Sequence, residues 1–328
     1  MLTDNTLNHV NADDNLRKVN ILFLGGAKRV SMGRKFIEAG RRMGMDVRLY
    51  SYELSPYVPI ASIAEVIIGL KWADPEVTAH IHGIIEQKGI DILVPFVDGA
   101  VEVAARCRDE YSDVWVPVGD AALSARMFDK VEADSLFRSL DLPVPGSEKF
   151  PLIAKPRFGS ASKGLIIIHD AAELDALGER ARDYLIQECI TRRKEITVDC
   201  YVTLEGEIIT AVSRYRIDVQ GGEVVTTATF RNPQVYALVF NILNRTGLRG
   251  AVTIQLIEQT DGNLLLMEIN PRLGGGAVTA VAAGADIPGY ILGDWAGMPL
   301  TPCHDWNDHI LLTRYLSDFV FDLSEKQS

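Results

Sequence analysis

The stretch AVTIQLIEQTDGNLLLMEIN at residues 251–270 decides how this chain is read. Two apolar runs flank Asp261 and Gly262, a dipeptide suited to a two-residue hairpin turn whose central positions take positive φ. Pairing outward from that turn sets Gln255 opposite Glu268. Side chains alternate along a strand, so Asn270 shares the face of Glu268, while Ile254 and Leu256 with Met267 and Ile269 make an apolar face. One side is suited to packing; the other gathers a carboxylate and two amides. Such oxygen donors fit hard Mg²⁺, which keeps several waters and completes its shell with phosphate oxygens. A solvated strand face is the plain alternative. The run straight into Pro271 and Arg272 favours the ligand face, because the guanidinium can neutralise a phosphoryl group in transfer.

Working outward, the first half of the chain alternates. VNILFLGG from Val19, a helix through Lys35 to Met43 and DVRLYSYE open a parallel α/β unit. A helical stretch over 75–88, the strand DILVPFV, a helix over about 98–108 and the strand VWVPV continue it as a doubly wound sheet requires. A helix through Lys130 stops near LPVP, where proline forbids continuation. The pattern then changes. PLIAKP and GLIIIHD are strand-like, and Asp170 with Glu173 offers a cap and capping-box acid for the helix AAELDALGERA. YLIQECI follows as a strand. EITVDCYVT turns at Glu205 and Gly206 into EIITAVSRYRIDV, an antiparallel arrangement. The expected division is a disordered polar lead-in over 1–18, a Rossmann-like domain over 19–120, a lid with its preceding helix over 121–190, and a C-terminal subdomain over 191–328.

The formal net charge of −11 argues against a nucleic-acid partner, since phosphate binding needs clustered Lys and Arg. No apolar run approaches the roughly 20 residues that span a bilayer. The four cysteines lie far apart without a C-x-x-C pair, so neither a zinc site nor a disulfide framework is indicated, and reduced thiols in the cytoplasm are the simpler reading. The six histidines show no ligand spacing, and no Ser-His-Asp or Cys-His arrangement stands out.

Two further elements carry chemistry. Lys155 closes an apolar strand just before the loop from Phe158 to Gly164, whose glycines and serines let backbone N–H groups approach phosphates while lysine adds a point charge. LIQECI, followed by Arg192, Arg193, Lys194 and Glu195, can offer an amide and backbone groups to an adenine edge and a carboxylate to ribose hydroxyls.

In this order, K-P-x-x-G-S-x-S-x-G, then Q-E-x-I with an acid further on, then Q-L-I-E and M-E-I-N-P-R resemble the ATP-grasp superfamily, closest to carbamoyl-phosphate-synthase-like members. The resemblance covers nearly the whole chain. It implies a fold in which two α+β subdomains clasp ATP behind a Rossmann-like domain, and a carboxylate-amine ligase that forms an acyl phosphate. It also implies roles. Lys130 and Lys155 face the ATP phosphates, with Ser160 and Gly164 in the loop over them. Gln187, Glu188 and Ile190 contact adenine, and Glu195 the ribose. Gln255, Glu268 and Asn270 hold two Mg²⁺, or Mn²⁺ in their place, with Glu268 as the bridge. Arg272 meets the transferred phosphate, and Arg214, Arg216 and Arg249 line the acceptor pocket, Arg249 counted with Arg272 and Lys155 as catalytic. The implied partners are a small carboxylate and an amine, with a homodimer allowed. Two departures stand out: the segment between Pro145 and Pro151 is short, implying a trimmed lid, and only one ATP-grasp unit fits, so a complete carbamoyl-phosphate synthase reaction is not expected. A half-enzyme acting on bicarbonate or carbamate stays open.

Two rival readings remain. LFLGGAKRVSMG after the first strand, with Glu53 ending the second, imitates a dinucleotide fingerprint and would make the chain an NAD-dependent dehydrogenase. The glycines at 25, 26 and 33 do not form G-x-G-x-x-G, however. A nucleotide-binding module without catalysis is the other.

Overall fold

β1 (Arg17–Leu24) buries Val19 and the run Ile21, Leu22, Phe23 and Leu24 completely, as a parallel strand covered on both faces must. The computed structural model to which it belongs describes residues 16–111, 113–159 and 163–323; the expected lead-in up to residue 15, and Ser160, lie outside the described residues. The amphipathic crossover α1 (Val30–Arg42) returns the chain to β2 (Met45–Glu53), and β3 (Glu65–Ile68) adds outside it. α2 (Val77–Lys88) then leads to β4 (Ile92–Pro95) on the other side of β1, giving the parallel order β3-β2-β1-β4.

The strand expected at VWVPV is absent as a strand. It makes isolated bridges only, from Trp115 to Ile92 and from Val118 to Gly250, because Pro117 has no N–H to extend a ladder. Gly250 has φ +75, and a Cβ there would overlap the Pro117 carbonyl, so only glycine lets the two segments meet. The fourth strand is β3 instead.

After α3 (Asp98–Glu110) come α4 (Ala121–Phe128) and α5 (Lys130–Ser139). Asp129, extended at φ −89 and ψ 102, separates them and accepts from the Val131 and Glu132 N–H groups as the cap of α5. β5 (Leu152–Pro156), β6 (Ile166–Ile168), the short α6 (Ala171–Asp175) and β7 (Tyr184–Glu188) form a small antiparallel sheet, β6-β5-β7. Asp170 caps α6 by accepting from the Glu173 N–H at 2.9 Å, and the Glu173 carboxylate accepts from the His169 N–H at 2.7 Å. The helix stops short of the expected length because Gly178 takes φ +52.

The largest sheet carries β8 (Arg193–Val202), β9 (Ile208–Gln220), β10 (Glu223–Thr229), then, after α7 (Pro233–Thr246), β11 (Gly250–Gln259) and β12 (Leu264–Asn270). Beyond α8 (Val278–Ala282) and α9 (Ile287–Trp295), β13 (Leu311–Thr313) completes the antiparallel order β12-β11-β8-β9-β10-β13. One face packs on α5 and α7 through Phe137, Val235, Val239 and Ile242. α8 and α9 pack against α1 and the first sheet, where Phe23 and Phe36 meet Ala280 and Ile291 in one core. Among the described residues no helix is long and apolar enough to cross a membrane.

The deciding hairpin folds with one change. Gln259 N–H donates to the Asn263 carbonyl at 2.9 Å, so the turn holds three residues, and a bulge between Gln255 and Leu256 then restores the pairing of Gln255 with Glu268. That bulge lifts Met267 out of the apolar face and into the wall of a cleft. Leu266 is fully buried in the core face beside Ile254, Leu256 and Ile269.

Candidate functional site

The three sheets enclose a cleft of about 430 Å³. Its walls are the start of α3 with Asp98, the small sheet with Lys155, Phe158 and Lys163, and the polar face of the large sheet. In that face Glu268, Gln255, Thr197 and Arg214 stand in one row across β12, β11, β8 and β9.

Glu268 and Asn270 are tied together: Asn270 Nδ2 donates to Glu268 Oε1 at 2.7 Å, and Arg272 Nη2 donates to Asn270 Oδ1 at 3.1 Å. Arg272 is aimed by Asp98, whose Oδ1 accepts from its Nε at 2.7 Å, and Thr253 Oγ1 donates to the Arg272 carbonyl. The guanidinium therefore reaches the oxygens from a fixed direction. Among the described residues no group of three or more His, Cys, Asp or Glu side chains forms a metal cluster. A cation held here would rest on one carboxylate and amide oxygens, a donor set that suits a hard ion completing its shell with phosphates.

Lys155 Nζ donates to Gln187 Oε1 at 2.8 Å, and Gln187 Nε2 donates to Asp134 Oδ1 at 2.7 Å. Burial holds the Lys155 ammonium below its ordinary pKa, opposed by the charges of Glu268 and Asp134. Lys130 Nζ donates to the Gly159 carbonyl at 2.6 Å, tying the head of α5 to the loop. Gly164, at φ +74, closes that loop without lining the cleft, whereas Gly159 and Lys163 do line it.

The opposite end is cationic. Arg214 Nε donates to Asp199 Oδ2 at 2.7 Å in an ion pair whose side chains are 2% and 1% exposed. Arg29 and Arg314 share the carboxylate of Glu223, at 3.2 and 2.7 Å. The loop Gly274, Gly275 and Gly276 runs between them: a Cβ on Gly276 would lie 2.7 Å from the Arg214 guanidinium, and one on Gly275 3.2 Å from Arg29 Nη1. Glu195 reaches the cleft, but Arg193 at 2.9 Å and Arg216 at 3.4 Å both hold it.

Lys130, Lys155, Glu195, Gln255, Glu268, Asn270 and Arg272 thus come together, with Arg214 and Arg216 beyond them. Gln187 does not join the wall; it is 1% exposed and committed to Lys155 and Asp134. The Glu188 N–H donates to the Gly146 carbonyl and the Ile190 carbonyl accepts from Arg193 Nη1. Arg249 is a correction. Its guanidinium donates to the carbonyls of Leu204 and Leu248 at the far end of β11, outside the cleft. Glu53 is likewise turned inward. Burial pushes its carboxyl up, while hydrogen bonds from Ser51 and the backbone of Gly26 and Ala27 oppose that shift, so it braces the first strand–helix turn. Arg29, Asp98, Thr197 and Glu223 are cleft residues that the sequence pattern does not single out.

A parallel sheet, a small antiparallel sheet and a larger sheet facing it across a cleft of lysines, carboxylates, amides and arginines make up an ATP-grasp fold. Residues 180–314 match the family model described as ATP-grasp in the biosynthetic pathway with Ter operon. The chain is 23% identical over 217 residues to the carbamoyl phosphate synthase large chain of Streptomyces griseus, a match covering 60% of this chain and 19% of that one. It therefore spans about a fifth of that curated relative. The biotin carboxylase domain of Hydrogenobacter thermophilus 2-oxoglutarate carboxylase, solved as a dimer with MgADP, ADP and bicarbonate, superposes at TM-score 0.69 with 18% identity, covering 86% of this chain and 70% of that one. The ADP complex of N5-carboxyaminoimidazole synthetase from Staphylococcus aureus superposes at 0.70 with 15% identity, covering 88% and 80%. At these identities the structural likeness establishes the fold.

Proposed function

We propose that the protein is an ATP- and Mg²⁺-dependent ligase that phosphorylates a carboxylate to an acyl phosphate and couples it to an amine or ammonia, releasing ADP and phosphate. The observation that carries this reading is the convergence of Gln255, Glu268 and Asn270 with Arg272 and Lys155 on one cleft. The cation would rest on Gln255, Glu268 and Asn270 and would supply neutralisation of phosphate charge. Lys155 and Lys130 hold the phosphates from the lid side, and Arg272, fixed by Asp98, faces the phosphoryl group in transfer. A carboxylate oxygen attacks the γ-phosphorus, a new P–O bond forms, and the bond to ADP breaks. The amine nitrogen then attacks the acyl carbon, and phosphate leaves as the C–N bond forms. The residues contribute position and preorganised charge, so no side-chain nucleophile is needed. A homodimer working in the cytoplasm, where ATP is supplied, is part of the proposal.

Bicarbonate is the alternative carboxylate, favoured by its presence in the Hydrogenobacter neighbour and by the carbamoyl phosphate synthase likeness. ADP formation with Mg²⁺ and ATP, measured across amino acids, dipeptides and bicarbonate, tests the reading. Stimulation by one class of carboxylate together with an amine is expected. No stimulation by any of them, with ATP still bound, would leave a binding module in place of a ligase.

A further inference from the structure

Among the buried polar atoms without a hydrogen-bond partner among the described residues are Arg214 Nη1 and Thr197 Oγ1, both on cleft-lining residues, as is Arg216 Nε, whose residue is ion-paired with Glu195. Arg214 and Thr197 are directly paired in register on β9 and β8, and both are 1% exposed. Asp199 engages Arg214 through Nε, and more weakly through Nη2 at 3.4 Å, which leaves the buried Nη1 without a hydrogen-bond partner among the described residues. A buried donor left unpaired is costly, and buried side-chain donors are nearly always satisfied. Around Nη1, Gly276 brings bare backbone against the guanidinium instead of a side chain. Arg29 and Arg314 share one carboxylate, so the surroundings carry an excess of positive charge.

Resting on the ligase reading above, we propose that Arg214 Nη1 and Thr197 Oγ1 form an anchoring seat for a carboxylate that is held and not phosphorylated, so that the substrate is a dicarboxylate or an amino acid. A planar guanidinium edge and a neighbouring hydroxyl match the two oxygens of a carboxylate. Arg214 lies three strands from Glu268 along one row, roughly 14 Å between backbones at about 4.8 Å per strand interval. The phosphoryl acceptor must sit beside Glu268 and Arg272, so the group at Arg214 is a second one, whose role is to set the reach of the substrate.

The test is direct binding without nucleotide. Succinate, glutarate and L-glutamate, each beside its amide counterpart, are titrated by tryptophan fluorescence and thermal shift. At least one acid is expected to bind about tenfold more tightly than its amide, an interval of about 1.4 kcal/mol. The preference should disappear in Arg214→Gln/Asp199→Asn, which removes both buried charges together, and weaken severalfold in Thr197→Val, which keeps the shape of the side chain. In both variants a fluorescent ATP analogue should bind as in the wild type. Equal binding of every acid and its amide overturns the seat, as does an undiminished preference in Thr197→Val or in a folded double variant. If the double variant fails to fold, Thr197→Val decides. Loss of nucleotide binding by the wild type would speak against the ligase reading while leaving the carboxylate result readable.

Discussion

Replacing Glu268 by Gln removes one charge and almost no volume. In the folded protein Glu268 Oε1 accepts from Asn270 Nδ2 at 2.7 Å, and a glutamine oxygen can accept the same bond. The change therefore costs about 1 kcal/mol of hydrogen-bond strength at most, a fall in Tm of roughly 2–4 °C. Function should respond differently. Glu268 is the one carboxylate in the set with Gln255 and Asn270, so the attraction for a divalent cation rests mainly on its charge. Its charge also helps keep Lys155 protonated against burial, so its loss lowers the Lys155 pKa further. The assay is titration of a non-hydrolysable ATP analogue with and without Mg²⁺, together with a melting curve. The wild type should bind more tightly with Mg²⁺, and Glu268→Gln should lose at least about tenfold of that gain, equivalent to about 1.4 kcal/mol. A variant that keeps the full Mg²⁺ enhancement and melts like the wild type refutes the metal assignment.

Other outcomes follow from the same geometry. Asp199→Ala leaves the Arg214 charge buried and uncompensated, and should cost about 3–5 kcal/mol in urea unfolding; a loss below 1 kcal/mol would mean that the pair is solvated. Gly250→Ala should destabilise far more than Gly262→Ala: both have positive φ, but only the former would overlap a carbonyl, while a Cβ on Gly262 meets nothing within 4 Å. Comparable melting temperatures for the two would contradict the packing of Pro117 on β11. Lys155 titrates below its ordinary value in the free protein, and phosphates beside it must raise that value. Nucleotide binding should therefore take up a proton at alkaline pH, between the free and bound pKa, with little uptake below that window where Lys155 is already charged. Calorimetry in two buffers of different ionisation enthalpy measures this, and Lys155→Met should abolish it.

Much of the site could be read from local sequence because it depends on strand alternation. Gln255, Glu268 and Asn270 share a face by parity alone, and a single turn dipeptide brings the first two opposite each other. Even so, the pairing arises from a longer turn corrected by a bulge, a cancellation that parity does not reveal and that sends Met267 to the other face. The parallel α/β character of the first sheet followed from alternating apolar runs, whereas its strand order and β3 did not. VWVPV failed as a strand because Pro117 cannot extend the ladder begun at Ile92, and its second bridge, to Gly250, is remote in sequence. Arg29, Asp98 and Glu223 were invisible because each acts through a partner far along the chain: Glu223 for Arg29, and Arg272 for Asp98. Arg249 misled for the converse reason, since adjacency to a strand says nothing about which end of it meets the cleft.

The central claim is that nucleotide phosphates and a divalent cation meet at the oxygen face of β11 and β12. A crystal structure with a non-hydrolysable ATP analogue and Mn²⁺, located by anomalous scattering, tests it most directly. The expected result is a manganese peak within bonding distance of Glu268 and Asn270, with the terminal phosphate between Arg272 and Lys155. A nucleotide bound elsewhere, or a manganese peak remote from Glu268, would contradict it.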